Sequence, residues 1–143
     1  MSVERILAGK GRDVVTVPPD TSLGDVAATL SRHRIGAIVV VDGQGSVLGI
    51  VSERDVVRGV AEGGAASLQQ PVSSRMTAKV VTCGPTSSIN DLMVLMTDGK
   101  FRHVPVVEQG RLGGIISIGD VVKHRLAEVE TEQQAMRDYI ATA

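Results

Sequence analysis

Aromatic side chains are almost missing from this sequence, which has one phenylalanine, one tyrosine and no tryptophan in 143 residues. Proteins that bind single-stranded nucleic acid stack the bases on aromatic rings, so the composition does not favour that class. A charge excess of one sign is missing too, because fifteen basic and sixteen acidic residues leave a net charge of −1. Duplex DNA binding depends on a strongly basic face. We therefore expect no nucleic-acid partner.

Long apolar runs and paired cysteines are also missing. No run approaches the ~18 to 20 apolar residues of a membrane span, and residues 1–13 lack the apolar core of a secretory signal. We therefore expect a cytoplasmic protein that is not inserted in a membrane. Cys83 is the single cysteine, so the chain has no internal disulfide and no cysteine pair for a metal. Its valine-rich surroundings favour a packed side chain over a reactive thiol.

The sequence does contain an internal duplication. The tripeptide VVT at residues 14–16 recurs at residues 80–82, an offset of 66 positions. After a one-residue deletion in the second copy, GIVS at 49–52 matches GIIS at 114–117. Such self-similarity indicates two copies of one structural unit. Further identical pairs are Pro19 and Pro85, Ser22 and Ser88, Asp25 and Asp91, and Asp55 and Asp120.

Both copies predict the same order of elements. A short β-favouring segment precedes a serine at an N-cap position and apolar residues with helical spacing. Two runs rich in β-branched residues, separated by a turn, then predict a hairpin of buried strands, and a second helix follows. Each copy is therefore a βαββα unit, and the fold class is mixed α+β. The first strands are predicted at 14–17 and 80–83, the first helices after Ser22 and Ser88, the hairpin strands at 35–41, 47–52, 104–107 and 112–117, and the last helices near Asp55 and Asp120.

Two motifs resemble a known family. GIVSERD at 49–55 and GIISIGD at 114–120 resemble the Gly-h-h-Ser/Thr-x-x-Asp signature of CBS domains, where h is apolar, and FRHVPVV at 101–107 is similar to the RHxPV strand of that family. The resemblance implies a CBS pair, or Bateman module, with two repeats packed about a pseudo-two-fold axis. We expect repeat 1 at 6–62, a connector at 63–79, repeat 2 at 80–126 and a C-terminal helix at 127–143.

The resemblance also implies a function. The two clefts of a CBS pair bind AMP, ADP, ATP or a related adenosyl compound, and such pairs are regulatory modules rather than enzymes. NAD(H) is a further ligand candidate, because small residues in the first copy leave space for a dinucleotide. Two other classes stay open, a dimeric interaction scaffold without a ligand and, less favoured, an enzyme acting on an adenosyl ligand.

The aspartates at the strand–helix junctions are the central site candidates. A carboxylate can accept hydrogen bonds from both ribose hydroxyls, and the resemblance gives this role to Asp55 and Asp120. The alternative is a cap of the helix that follows. Ser52 and Ser117 would face a phosphate at the helix N-terminus, or cap the same helices.

The basic residues of the second copy form the other part of the site. Arg102 and His103 adjoin an apolar strand, where a phosphate, or a salt bridge to Asp98, Glu108 or Asp120, would compensate their charge. The first copy has Gly36 and Ala37 there instead, so a phosphate near Asp55 would be met by Arg54, by Arg34 or by a second subunit. The two clefts should therefore differ in affinity or in ligand. The predicted ligand-binding residues are Thr16, Gly36, Ala37, Ser52, Arg54, Asp55, Thr82, Lys100, Arg102, His103, Ser117 and Asp120, while Ile35, Val39, Val51 and Ile116 are core residues first and base contacts second.

The C-terminal segment predicts a helix with a heptad-like apolar stripe. Such a helix packs either on its own domain or against the same helix of a second copy. CBS pairs commonly form flat homodimers, so we expect a homodimer in which this helix takes part and a further, unknown protein that is regulated. The stripe consists of Val122, Leu126, Val129, Met136 and Ile140, and Val3, Ile6 and Leu7 are expected to pack in the same region.

Overall fold

The structure is a computed structural model that describes residues 2–142. Two similar α+β units follow one another along the chain, each with a helix, a β-hairpin and a second helix. The elements are α1 (Val3–Lys10), β1 (Thr16–Val17), α2 (Leu23–His33), β2 (Ala37–Val41), β3 (Val47–Ser52), α3 (Glu53–Gly63), two 3-10 turns (Gly64–Gln69 and Val72–Ser74), α4 (Ile89–Gly99), β4 (His103–Glu108), β5 (Arg111–Ser117) and α5 (Ile118–Thr142).

The two hairpins have the same register. In the first, β2 runs antiparallel to β3 with Ala37 opposite Ser52. In the second, β4 runs antiparallel to β5 with His103 opposite Ser117. Both hairpins contain a register shift at the same place, next to Val41 in one and Val107 in the other. The predicted duplication is therefore confirmed in both strands of each hairpin.

The first strand of the second copy is the main difference from the predicted elements. β1 pairs in parallel with β2, but residues 80–83 form only one parallel bridge, between Cys83 and Val106. Val80 and Val81 instead line a cavity between the two copies. Burial of Cys83 raises the pKa of its thiol to about 11, so the thiol stays protonated at neutral pH and packs as a small apolar residue.

Serine side chains begin the first helix of each copy, as predicted. The Ser22 hydroxyl accepts a hydrogen bond from the backbone N–H of Asp25 at 3.1 Å, and Ser88 accepts one from Asp91 at 3.0 Å. These bonds satisfy backbone donors that a helix N-terminus otherwise leaves unpaired. They also fix the point at which the chain leaves the preceding turn.

Each core contains the segment that leads into the other repeat. Val72, in the connector, is fully buried in the core of the first repeat, and its backbone N–H donates to the Thr21 carbonyl at 2.7 Å. Val3, in α1, is fully buried in the core of the second repeat, and its N–H donates to the Ser87 carbonyl at 2.9 Å. Ile6 and Leu7, which the expected boundaries placed in repeat 1, also pack in that second core. The two repeats are therefore interlocked.

Helix α5 projects beyond the core of its own repeat. Val121 is buried in the second core and Val129 is half-buried, whereas the other apolar side chains of the stripe are more than half exposed. Of the two arrangements left open for this stripe, packing on its own domain therefore accounts for only a small part of it. Within residues 2–142, no helix combines the length and the apolar character that crossing a bilayer requires. The exposed residues are Val122, Leu126, Met136, Tyr139 and Ile140, with exposed fractions of 51 to 71%.

Candidate functional site

The junction between β3 and α3 places a carboxylate beside a helix N-terminus. One oxygen of Asp55, Oδ2, accepts hydrogen bonds from the backbone N–H of Ser52 at 2.8 Å and from its hydroxyl at 3.2 Å. The Ser52 hydroxyl in turn accepts from the backbone N–H of Asp55. These reciprocal bonds form a capping box. The predicted capping role is therefore confirmed, and it occupies Oδ2.

The second oxygen of Asp55 is not engaged in the cap. Among the described residues, Oδ1 makes one ion pair with Arg58 at 3.7 Å and no hydrogen bond. The side chain is 12% exposed and lines the larger cavity of the molecule. A partly buried carboxylate oxygen without a hydrogen-bond donor is a strong acceptor for a ligand hydroxyl. Capping and ligand binding are compatible at this residue.

The cavity has a volume of about 490 Å³ and lies between the two repeats. This size is in the usual range for small-molecule sites. Eight of the predicted binding residues line it: Gly36, Ala37, Ser52, Arg54, Asp55, Lys100, Arg102 and His103. The lining residues that were not predicted to bind ligand are Ile50, Glu53, Arg58, Thr77, Lys79, Val80, Val81, Gly99 and Phe101.

Arg102 belongs to the second repeat, but it lines the cavity of Asp55. Its backbone carbonyl accepts from Ile118 N–H at 2.8 Å, as Gly36 accepts from Glu53 at 3.0 Å in the first repeat. Position 102 thus contacts the second junction through its backbone and also forms part of the cavity at the first. The phosphate partners expected for the Asp55 cleft were Arg54, Arg34 or a second subunit. Arg54 does line it, Arg34 does not, and Arg102 of the same chain takes that place.

The salt bridge that was the alternative to a phosphate partner for Arg102 is not formed. Within residues 2–142 the ion pairs do not include this guanidinium. The salt-bridge alternative to Asp98, Glu108 or Asp120 is therefore wrong for Arg102, and its charge stays available to a ligand.

His103 lies between the two junctions. A Cβ added at Gly36 would lie 3.1 Å from the His103 ring and 3.1 Å from Glu53 Oε1, so both side chains pack closely against this glycine. Burial and then the charge of Lys10 lower the pKa of His103, against the opposite effect of Asp120 and Glu53. The imidazole is consequently neutral at pH 7, and a phosphate nearby would favour its protonated form.

The cavity has an excess of positive charge. Five basic side chains face two acidic ones, Glu53 and Asp55, which leaves three positive charges uncompensated when His103 is neutral. Sequence reasoning missed Arg58 and Lys79. Arg58 lies one helical turn after Asp55, and that spacing was the available signal. Lys79 has no motif of its own and reaches the cavity because the connector passes along β3, where Thr77 and Ile50 exchange backbone hydrogen bonds of 2.9 and 3.0 Å.

The junction between β5 and α5 has the same cap but a different surrounding. Asp120 Oδ2 accepts from the Ser117 N–H at 2.9 Å and from its hydroxyl at 3.0 Å. The same oxygen is also 2.6 Å from the ammonium of Lys10. Burial alone would raise the pKa of Asp120, but the hydrogen bonds from Lys10 and Ser117 lower it by more. The carboxylate is therefore ionised and paired within the protein.

The remaining predicted residues lie outside the larger cavity. Thr82 lines a smaller, shallower one of about 270 Å³. Thr16, Ser117 and Asp120 are not part of the lining of either cavity. Val39, Val51 and Ile116 are fully buried core residues, so they cannot contact a base. The apolar residues that line the larger cavity are Ala37, Ile50, Val80, Val81 and Phe101.

The duplicated hairpin–helix unit and its inter-repeat cleft define a class of protein. The chain matches the CBS domain family twice, over residues 10–62 and 72–127, and it belongs to that family. A CBS-domain containing protein of Agrobacterium tumefaciens has a solved structure that is 61% identical, with a TM-score of 0.85 over 87% of this chain and 99% of that one. A mitochondrial CBS domain-containing protein of Arabidopsis thaliana is 35% identical over 85% of this chain, which spans 61% of the Arabidopsis protein.

One solved relative contains a ligand that bears on the site. A CBS domain protein of Pyrobaculum aerophilum complexed with AMP is 28% identical, with a TM-score of 0.75 over 84% of this chain and 89% of that chain. The fold of this chain is thus one that holds an adenine nucleotide in a relative.

Proposed function

We propose that this chain is a regulatory module that binds one adenine nucleotide in the cavity between its two repeats and signals its presence to another protein in the cytosol. The observation that carries the proposal is the pairing, in one cavity, of a free carboxylate oxygen on Asp55 with an excess of basic side chains. A nucleotide needs both, an acceptor for its sugar hydroxyls and cations for its phosphates. The AMP complex of the Pyrobaculum relative supports adenine as the base.

The sugar would be held at Asp55. Oδ2 is fixed by the capping box, which holds the carboxylate plane still and leaves Oδ1 directed at the ligand. Hydrogen bonds from hydroxyls to a fixed carboxylate are charge-assisted. The weak ion pair with Arg58 at 3.7 Å balances the charge without blocking the acceptor.

The phosphates would lie toward the basic side chains. Arg54 is near the N-terminus of α3, where the helix dipole adds to the attraction for an anion. Arg102 approaches from the second repeat as a planar donor without a protein partner. Lys79 and Lys100 add charge, so that a di- or triphosphate neutralises the cavity better than a monophosphate does. The apolar side chains of Ile50, Val80, Val81 and Phe101 remain for the base.

Signalling would follow from the composition of the cavity. Its walls come from both repeats and from the connector. A ligand that contacts all three parts at once would therefore favour one relative orientation of the two repeats. A partner protein that binds this orientation more tightly would respond to the energy state of the cell, or to its redox state if the ligand is NADH. The ligand can shift the equilibrium between the two orientations only by as much as its affinities for them differ.

Titration calorimetry of the purified chain tests the proposal directly. We expect binding of AMP, ADP and ATP, with ATP about tenfold tighter than AMP because its extra charge meets unpaired cations. NADH and S-adenosylmethionine test the larger adenosyl ligands, and GTP is the matched control for the base. The bound nucleotide should be recovered unchanged; turnover would favour an enzyme, and no binding of any of these ligands would favour a scaffold.

We also propose that a second copy of the chain covers the exposed stripe of α5. Val122, Leu126, Met136 and Ile140 are each more than half exposed, and such a stripe is typical of a helix that pairs. By light scattering we expect a dimer of 15.0 kDa chains and a monomer for Leu126→Glu. Ala127→Glu adds the same charge beside the stripe and should leave the dimer intact. A wild-type monomer at high concentration would contradict the proposal.

A further inference from the structure

The N-terminal helix reaches the second junction with a charged side chain. Lys10 is the last residue of α1, and its ammonium donates to Asp120 Oδ2 at 2.6 Å and to the carbonyl of Ile115 at 2.9 Å. The two side chains of this pair are 32% and 22% exposed. A short, partly buried pair of this kind is stronger than an exposed surface salt bridge.

The first repeat satisfies the equivalent carbonyl in another way. Ile50, which corresponds to Ile115 in the duplication, accepts a hydrogen bond from the backbone N–H of Thr77 at 2.9 Å. At the first junction a backbone hydrogen bond thus holds the connector against β3, and one oxygen of the Asp55 carboxylate stays open to the cavity. The second junction uses a lysine side chain for the same carbonyl, and the ammonium of that lysine also binds Oδ2 of Asp120, the oxygen that the cap engages.

We infer that Lys10 closes the second junction, so that the chain binds a nucleotide only in the Asp55 cavity. This inference rests on the proposed function, since it concerns the second of the two clefts. Lys10 already neutralises the Asp120 carboxylate and contacts it at 2.6 Å, so a sugar at this junction would have to move the ammonium or share the carboxylate with it, whereas Arg58 is 3.7 Å from Asp55. Ser117 and Asp120 also line neither of the two cavities. The difference expected between the two clefts therefore arises from a residue in α1, outside both hairpins.

Removal of the lysine tests this inference by stoichiometry. We expect titration with AMP to give one site per chain for the wild type and two for Lys10→Met. Arg12→Met is the matched control, because Arg12 is a basic residue near the same helix that pairs only with Glu4 at 3.7 Å; it should keep one site. Lys10→Gln, whose amide can still donate to the Ile115 carbonyl, provides a second variant if melting curves show that Lys10→Met does not fold.

The outcomes separate this inference from the proposed function. One site in both the wild type and Lys10→Met, or two in both, would overturn the role of Lys10 and leave the proposed function standing. No site in the wild type but one in Lys10→Met would support the role of Lys10 and contradict binding at Asp55. Weaker total binding in Lys10→Met would identify Lys10 as a ligand contact rather than a closure, and no AMP binding by either protein would overturn both.

Discussion

Replacing Asp55 by asparagine is expected to weaken adenine nucleotide binding about a hundredfold. A hydrogen bond to a charged group contributes ~1.5–3 kcal/mol, and each 1.4 kcal/mol is a factor of about ten in affinity. The amide oxygen of asparagine can still accept from the backbone N–H of Ser52, so the capping bond at 2.8 Å has a replacement. Titration calorimetry with ATP measures the loss, and thermal unfolding without ligand shows whether the cap persists.

The matched control for this change is Asp25→Asn. Asp25 lies in the first turn of α2, is exposed, and does not line the cavity. Its replacement should leave the affinity for ATP unchanged. Unaltered ATP binding by Asp55→Asn would remove the sugar-binding role of Asp55, and a comparable loss in both variants would point to a general effect of charge.

Replacing Leu92 by alanine is expected to lower the free energy of unfolding by about 2–5 kcal/mol. Leu92 is fully buried on α4, in the core that contains α1, β4 and β5. The truncation leaves a cavity that closely packed neighbours cannot fill. Chemical denaturation gives the free energy, and an unchanged dependence on denaturant indicates that the folded state is the same.

Leu95 on the same helix provides the comparison. Its side chain is 36% exposed, so Leu95→Ala removes less contact and should cost less than about 1 kcal/mol. A larger cost for Leu95→Ala than for Leu92→Ala would mean that the face of α4 assigned to the core is wrong.

Local sequence patterns predicted most of the fold, because helices, strands and helix caps are determined largely by residues that are close together in the sequence. The strand at Val47–Ser52 has the predicted bounds, and the caps at Ser22 and Ser88 are confirmed. Residues 80–83 have the same β-favouring composition as residues 14–17, but only Cys83 pairs with another strand. The β-propensity of Val80 and Val81 was not enough to form a strand, and these residues lie in the wall of the cavity instead.

The site was predicted less completely because it depends on contacts between the repeats. The motif that carries Arg102 belongs to the second copy, so sequence placed its charge with Asp120. In the structure the backbone of this residue bonds at the second junction, and the residue lines the cavity of the first. The pairing of Lys10 with Asp120 spans 110 positions, and no local pattern marks it.

Each core is completed by the segment that leads into the other repeat, and this has a consequence for a repeat on its own. A single repeat cut from this protein would lack the valine that completes its core, since Val3 belongs to the core of the second repeat and Val72 to that of the first. A separate repeat would need a second copy to donate that segment, as partners do in domain-swapped dimers. In this chain both segments are donated within one molecule, so neither core depends on an association between molecules.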